Sequence, residues 1–313
     1  MQIINNLLNF KKITSNTVIT IGNFDGMHLG HQNLIHKLNL IKTKNKFKTV
    51  VILFTPHPVE FLGTAKPIFF RINSVEEKID FLKKYKIDFI VLIKFNHFFA
   101  SLKPNDFINI FLIKKLNMKC LIVGDDFHFG FRRSGNLTLL KNKAKKNNFK
   151  ILTENSIIRD NIRISSTKIR ELIIQGDLKK AENFLGHPFT ISGKVEHGIQ
   201  KGRKIGFPTA NVNLHSSLQI INGVYAVKIF IFDCKKKFFG IANIGICPTF
   251  KKKNIKLEVH IPDIFINLYE KKIKVIFIKK IRKEKKFNSI NDLIIQIKKD
   301  VNLAKKIFLS YTL

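Results

Sequence analysis

Tryptophan is absent from this 313-residue chain. Cysteine is scarce: Cys120, Cys234 and Cys247 are scattered and show no C-x-x-C spacing. That excludes a disulfide framework and a cysteine zinc site, and it fits a reducing compartment. Acidic residues are few, 22 Asp and Glu against 56 Lys and Arg, for a formal net charge of +34. No apolar run approaches the roughly 20 residues that a membrane-spanning helix needs. The stretch MQIINNLLNFKK has no cationic segment ahead of an apolar core, so it does not read as a secretory leader. The expectation is a soluble cytoplasmic protein with no membrane partner.

What is abundant is lysine, which outnumbers arginine six to one, together with Ile, Asn and 30 Phe. An AT-rich genome produces that set of residues. The rival reading is a basic RNA-binding protein, since a large positive charge favours anionic partners. A dedicated nucleic-acid binder tends to gather Arg and aromatics on one element. Here the lysines are spread along the chain, so no specific nucleic-acid partner is expected. Self-association is left open.

The first half alternates two kinds of run. VITIG, TVVILF, DFIVLI, CLIVG and FKILT are short and nearly all apolar, as strands of a parallel sheet covered on both faces must be. Between them QNLIHKLNLIK, SVEEKIDFLKKY and PNDFINIFLIKKL carry helical spacing and start signals. The alternation predicts a βαβ domain with a Rossmann-like parallel sheet. SSTKIRELIIQGD and DLKKAENFLGHP then read as helices ended by Gly176 and Gly186. From His187 onward FTISGKVEHG, GVYAVKIFIFD, KFFGIANIGI, IKLEVHI and KKIKVIFIKKI follow one another without helices, an antiparallel barrel pattern. SINDLIIQIKKDVNLAKKIF closes the chain as one helix capped by Ser289. The predicted division is residues 1–186 and 187–313.

Two constellations carry chemistry. In GNFDGMHLGH, a strand ends at Gly22, and Asn23, Phe24 and Gly26 form a turn before a helix. His28 and His31 fall one helical turn apart where exposed N–H groups and the helix dipole favour phosphate. Gly30 between them has no side chain to keep a nucleotide off the backbone. In RISSTKIR, the hydroxyls of Ser165, Ser166 and Thr167 open a helix with Lys168 and Arg170 just behind, so dipole and cations converge on an anion. Taken alone, each has a plain alternative: surface histidines on a turn, or an ordinary cap. The second constellation is GRKIGFPTAN. Gly202, Gly206 and Pro208 shape a turn whose backbone can wrap phosphate. Thr209 and Asn211 then share one face of an extended strand and offer hard oxygen ligands for Mg²⁺. The alternative is a loop joining two strands.

GNFDGMHLGH with ISSTKIR resembles the nucleotidylyltransferase superfamily. With FTPHP, FNHFFASLKPNDFI, VGDDFHFGFRRSGN, GRKIGFPTANV, GVYAV, NIGICPTF and IRKEKKF in order, the chain resembles the bacterial bifunctional riboflavin kinase/FMN adenylyltransferase (FAD synthetase) family over almost its whole length. That resemblance implies two reactions. One phosphorylates riboflavin to FMN with ATP; the other moves AMP from ATP onto FMN, giving FAD and pyrophosphate. It implies that His28, His31, Ser165, Ser166, Thr167 and Arg170 handle ATP phosphates for the second reaction. His57, Asp126, Phe127 and Phe129 would face flavin or its phosphate. For the kinase it implies that Thr209 and Asn211 bind Mg²⁺ with ATP, that Glu258 is the general base, and that Arg282 lies near the flavin. DIFINLYE, from Asp263 to Glu270, departs from the family's D-F-x-x-D-L-Y-G, with Asn267 for an acid and Glu270 for the glycine. NIGICPTF carries Ile246 and Cys247 where smaller or polar residues are common. A slower or weaker-binding kinase is expected, and an adenylyltransferase with a weakened kinase half is the alternative.

Overall fold

The computed structural model describes residues 1–66, 69–198, 201–214, 216–233, 235–249, 252–264 and 266–312. Cys234 lies outside them, as do Phe250 of NIGICPTF, Phe265 of DIFINLYE and the side chains of Ile246 and Cys247. The chain forms two compact units, Met1–Pro67 with Ser74–Ser165, and Ile68–Asn73 with Ser166–Leu313.

The first unit is built on β1 (Gln2–Ile4), β2 (Thr17–Ile21), β3 (Lys48–Thr55), β4 (Phe89–Lys94), β5 (Met118–Gly124) and β6 (Lys150–Glu154). They lie in the order β1-β4-β3-β2-β5-β6, and every neighbouring pair is parallel. Alternation along the strands sorts side chains into two layers. Ile19 and Ile21 pack with Val50, Ile52 and Leu121 against Phe107, Ile108 and Phe111. Val18 faces the other way, with Val51, Leu53 and Ile122 against Ile35, Leu38 and Leu82. Both faces are covered, which is why these strands read as unbroken apolar runs. Each such side chain, fully buried, contributes about 1.5–3 kcal/mol.

Several elements differ from the sequence reading. β1 is a short edge strand in which only Ile4 is buried, too short to show a period. β6 is the opposite edge, and of its five residues only Glu154 is buried, so FKILT is not the buried strand its composition suggests. A small hairpin, β7 (Ile158–Arg159) with β8 (Ile162–Arg163), turns through Asp160 and Asn161 at φ 53° and 56°. Asx residues tolerate that left-handed backbone. The PNDFINIFLIKKL segment winds as a π-helix over Phe107–Lys115, with Leu116 N–H donating to the Phe111 carbonyl. The wider turn buries Phe107, Ile108, Phe111 and Leu112 together.

The second unit holds β9 (Thr190–Lys194), β10 (Ala210–Leu214), β11 (Gly223–Ile231), β12 (Lys236–Thr249), β13 (Lys252–His260) and β14 (Lys272–Arg282). The order is β10-β13-β12-β11-β14-β9, antiparallel throughout. The two end strands approach each other: Glu196 N–H donates to the Asn211 carbonyl at 2.8 Å. The sheet is therefore a nearly closed barrel, which leaves little free edge. The final helix, Ile290–Thr312, lays Val301, Ala304, Ile307 and Phe308 on Ala226, Ile241 and Ile278. Ser289 Oγ accepts from Asp292 N–H at 3.1 Å, the cap read from the sequence. Among the described residues no helix is long and apolar enough to cross a membrane.

Candidate active sites

β2 pairs with β3 on one side and β5 on the other. Its carboxyl end is thus a point where the chain order reverses, the usual place for a ligand in an open parallel sheet. The loop leaving it is tightly wound. Phe24 and Met27 sit at φ 48° and 44°, and both are 1% exposed. Non-glycine residues rarely hold that backbone, so packing fixes it. His28 is the N-cap of the helix Leu29–Asn45, and its side chain makes no cap bond. Instead its ring stacks on His31, with centroids 3.6 Å apart and planes at 21°. A Cβ on Gly30 would lie 3.1 Å from the His28 ring, so Gly30 leaves room for that imidazole. The first turn of the helix has no acidic residue.

His31 is held well below the usual imidazole range, first by burial, then by His28 and by Lys78. Its Nδ1 is buried with no hydrogen-bond partner among the described residues. Sequence reasoning passed over Lys78. It is 5% exposed, donates to the Asn23 carbonyl at 2.8 Å and lies 3.9 Å from the Asp25 carboxylate. Its signal was a lysine four residues before Leu82, on the helix face that is buried. Farther along the histidine helix, Asn33 donates to Glu154 at 2.9 Å and Lys37 pairs with it. These contacts tie the helix to β6.

The other residues expected near ATP or flavin have defined places. His57 caps a short helix, its Nδ1 accepting from Val59 N–H at 3.3 Å. Asp126 pairs with Arg163 at 2.5 Å. Phe127 stacks on Phe129 with centroids 5.4 Å apart, and Phe129 belongs to the core. Ser165 ends the first unit. Ser166, Thr167 and Arg170 lie on the helix Ser166–Gln175 of the second. Arg170 is 6% exposed; its Nε donates to the Phe70 carbonyl at 2.6 Å, and its guanidinium covers the Phe69 ring at 4.5 Å.

In the barrel, strand register does what spacing along the chain cannot. Asn211 on β10 and Asn243 on β12 each lie directly opposite Glu258 on β13. Three polar side chains thus form one row across three strands. Asn211 is 8% exposed, and its Nδ2 donates to the Thr209 carbonyl at 3.3 Å, which leaves Oδ1 as its ligand atom. A Cβ on Gly198 would strike the Asn211 amide. One on Gly202 would strike the Phe207 carbonyl and lie 3.4 Å from Thr209 Oγ1. Gly206 has φ +85°. Two hard oxygens in a cradle that side chains would fill are a donor set suited to Mg²⁺. A cavity of about 450 Å³ opens beside Thr209, lined also by Arg203, Pro208, Ala210, Val259, Asn267 and Tyr269; Asn211 and Glu258 are not among its lining residues. Its size suits a cofactor-sized ligand. The altered DIFINLYE segment therefore still lines the cavity. Glu270, where the family carries glycine, has φ +64° and pairs with Lys194. Arg282 gives its guanidinium to Asp300 of the closing helix, with Nη2–Oδ2 at 2.8 Å and Nε 3.0 Å from both oxygens.

A parallel sheet with stacked imidazoles at its rim, and an antiparallel barrel with a row of two carboxamides and a carboxylate, are arrangements suited to a transferase that handles nucleotides. A family model described as FAD synthetase matches residues 10–168, and one described as riboflavin kinase matches residues 185–308. The chain is 48% identical over 311 residues to a bifunctional riboflavin kinase/FMN adenylyltransferase of Buchnera aphidicola subsp. Schizaphis graminum, covering 98% of this chain and 99% of that protein. Identity is 42% to the protein of the same name from Haemophilus influenzae, again over 98% and 99%. A solved structure titled macrolide-efflux protein, from Streptococcus pneumoniae, superposes with a TM-score of 0.80 at 31% identity and 96% coverage of both chains. The chain belongs to the bifunctional riboflavin kinase/FMN adenylyltransferase family.

Proposed function

We propose that this chain phosphorylates riboflavin to FMN in its barrel and adenylylates FMN to FAD in its α/β half, releasing pyrophosphate. The reading divides the chain at residues 186/187 and locates it in the cytoplasm, with no nucleic-acid partner. The observation that carries it is that each compact unit has its own cluster of polar groups: the stacked His28 and His31 in one, and the Asn211–Glu258 pair in the other.

For adenylyl transfer, FMN supplies a phosphate oxygen that is already nucleophilic, so no covalent enzyme intermediate is needed. Positioning and charge neutralisation can supply most of the rate. Burial holds His31 well below the usual imidazole range, so its ring offers an uncharged N–H, and the helix N-terminus adds its dipole. Hydroxyls of Ser165, Ser166 and Thr167 and the Arg170 guanidinium serve the ATP phosphates of this reaction. His57, Asp126 and Phe127 serve the flavin. For the kinase, Thr209 and Asn211 hold Mg²⁺, which when bound neutralises phosphate charge on ATP. Glu258 takes the proton from the riboflavin 5′-hydroxyl as its oxygen attacks the γ-phosphorus, and the bond from that phosphorus to the bridging oxygen breaks to release ADP. Gly202 and Gly206 keep the turn before Pro208 free of side chains, so phosphate can approach its backbone; the N–H groups of Ile205, Gly206 and Phe207 are already donated to the Gly202 and Arg203 carbonyls.

The test separates flavin products after incubation with riboflavin, ATP and Mg²⁺. His28→Ala is expected to lower FAD formation by orders of magnitude and spare FMN formation; Glu258→Ala is expected to do the reverse. Loss of both activities in either variant, with the fold intact, refutes the two-site assignment. FAD from supplied FMN but none from riboflavin in the unaltered chain means the kinase half is lost.

A further inference from the structure

The row across the barrel contains one group that the proposed kinase chemistry does not use. Asn243 lies opposite Glu258, and its Oδ1 is buried with no hydrogen-bond partner among the described residues. Its amide nitrogen and Glu284 Oε1 both border Gly245, and the carboxamides of Asn243 and Asn222 both act on the Glu284 carboxyl. Gly245, two residues on and so on the same face as Asn243, makes this contact feasible. A Cβ there would strike Glu284 Oε1 and lie 3.0 Å from Asn243 Nδ2. Glu284 itself follows Arg282, whose clamp on Asp300 fixes that stretch of chain. Burial and the nearby Glu258 push its carboxyl above the usual carboxylate range, while both carboxamides hold it down.

A carboxylate only accepts. Set beside a carboxamide, it turns the NH₂ toward itself and the oxygen away. The orientation of Asn243 is thereby decided, and an acceptor is left over beside the general base. An acceptor buried without a partner costs about 1–3 kcal/mol, so a donor from a ligand is favoured there. We propose that Glu284 is a positioning residue that presents Asn243 Oδ1 to a hydroxyl of a polyhydroxylated alkyl chain, the ribityl chain of riboflavin, and so selects flavins carrying secondary hydroxyls. This rests on the assignment of Glu258 and Asn211 to the kinase site.

The test compares riboflavin with a flavin whose side chain ends in the same primary alcohol but lacks the secondary hydroxyls. Phosphorylation is measured in the full chain. The unaltered chain is expected to prefer riboflavin. Asn243→Ala and Glu284→Ala are each expected to raise the KM for riboflavin by about 3- to 10-fold, one hydrogen bond's worth. The KM for the deoxygenated flavin and for ATP should stay fixed. Glu284→Gln keeps an acceptor for the Asn243 amide and is expected to restore riboflavin binding. Glu284→Ala added to Asn243→Ala is expected to do nothing further. Equal losses for both flavins, or a Glu284→Ala effect that persists without Asn243, overturns the inference. A chain that phosphorylates neither flavin but still makes FAD from FMN refutes the kinase assignment instead.

Discussion

Replacing Lys78 by methionine is expected to unfold the first unit preferentially. Methionine keeps the length of the side chain and removes the charge. The cation donates to the Asn23 carbonyl at 2.8 Å. It also lies 3.9 Å from Asp25, itself 2% exposed. A hydrogen bond from a charged donor contributes about 1.5–3 kcal/mol. Removing one partner of a buried ion pair costs about 3–5 kcal/mol. At 3.9 Å the pair is at the outer limit of an ion pair, and the same cation serves both contacts, so the two figures do not add. A loss of about 3 kcal/mol follows, where they overlap. With urea slopes of about 1–3 kcal/mol per molar, the midpoint of that unit falls by about 1–3 M. Far-ultraviolet circular dichroism is the right probe, because the chain has no tryptophan to report by fluorescence. Phe24 and Met27 lose the brace on their left-handed backbone, so adenylyl transfer falls while riboflavin phosphorylation stays. Adding Asp25→Asn should recover part of the lost stability. A midpoint that does not move, with adenylyl transfer unchanged, refutes the claim that this lysine holds the loop.

His31 sets a pH dependence. Its folded pKa lies below its unfolded value of 6.5, so the unfolded chain binds the extra proton first. Stability should therefore fall as pH drops below about 6.5, and His31→Gln should flatten that part of a melting-temperature profile. Gly202→Ala drives a Cβ into the Phe207 carbonyl and opens the turn closed by the Phe207 N–H bond to the Gly202 carbonyl. Displacement on the order of 1 Å is expected to cost about 10²-fold in riboflavin phosphorylation and nothing in adenylyl transfer, read from separate product assays. Arg282→Met leaves Asp300, 2% exposed, without its two-pronged partner. The barrel should lose about 3–5 kcal/mol in urea denaturation, and pairing the change with Asp300→Leu should return much of it.

What the sequence made legible was local. The β2 run, the glycines after it and the two histidines lie within 15 residues, and the strand, the turn and the helix start each have their own signals. Thr209 and Asn211 were found because alternation along one strand is also local. The partner of Asn211 was not, since Glu258 is 47 residues away (258 − 211) and only register brings them opposite. Resemblance to a family supplied Glu258, and nothing supplied Asn243 and Glu284. The hairpin at Asp160 and Asn161 could have been read from that Asx pair, which suits a left-handed turn. The π-helix could not, because its apolar spacing suits an ordinary helix nearly as well.

Charge shows most clearly why composition falls short of chemistry. Among 56 Lys and Arg, the fully buried cations in the described residues are Lys78 and Arg170. Each donates to a backbone carbonyl, Asn23 and Phe70 respectively, in a segment close in sequence or space to residues assigned to ATP. A solvated lysine gains little from any one neighbour, since exposed pairs contribute about 0–1 kcal/mol. A buried one must be matched by fixed partners or be lost from the fold. On this ground, exposed lysines are expected to vary with codon usage at little cost to the fold. Charge-neutralising several exposed lysines should leave both activities intact, and removing Lys78 alone should not.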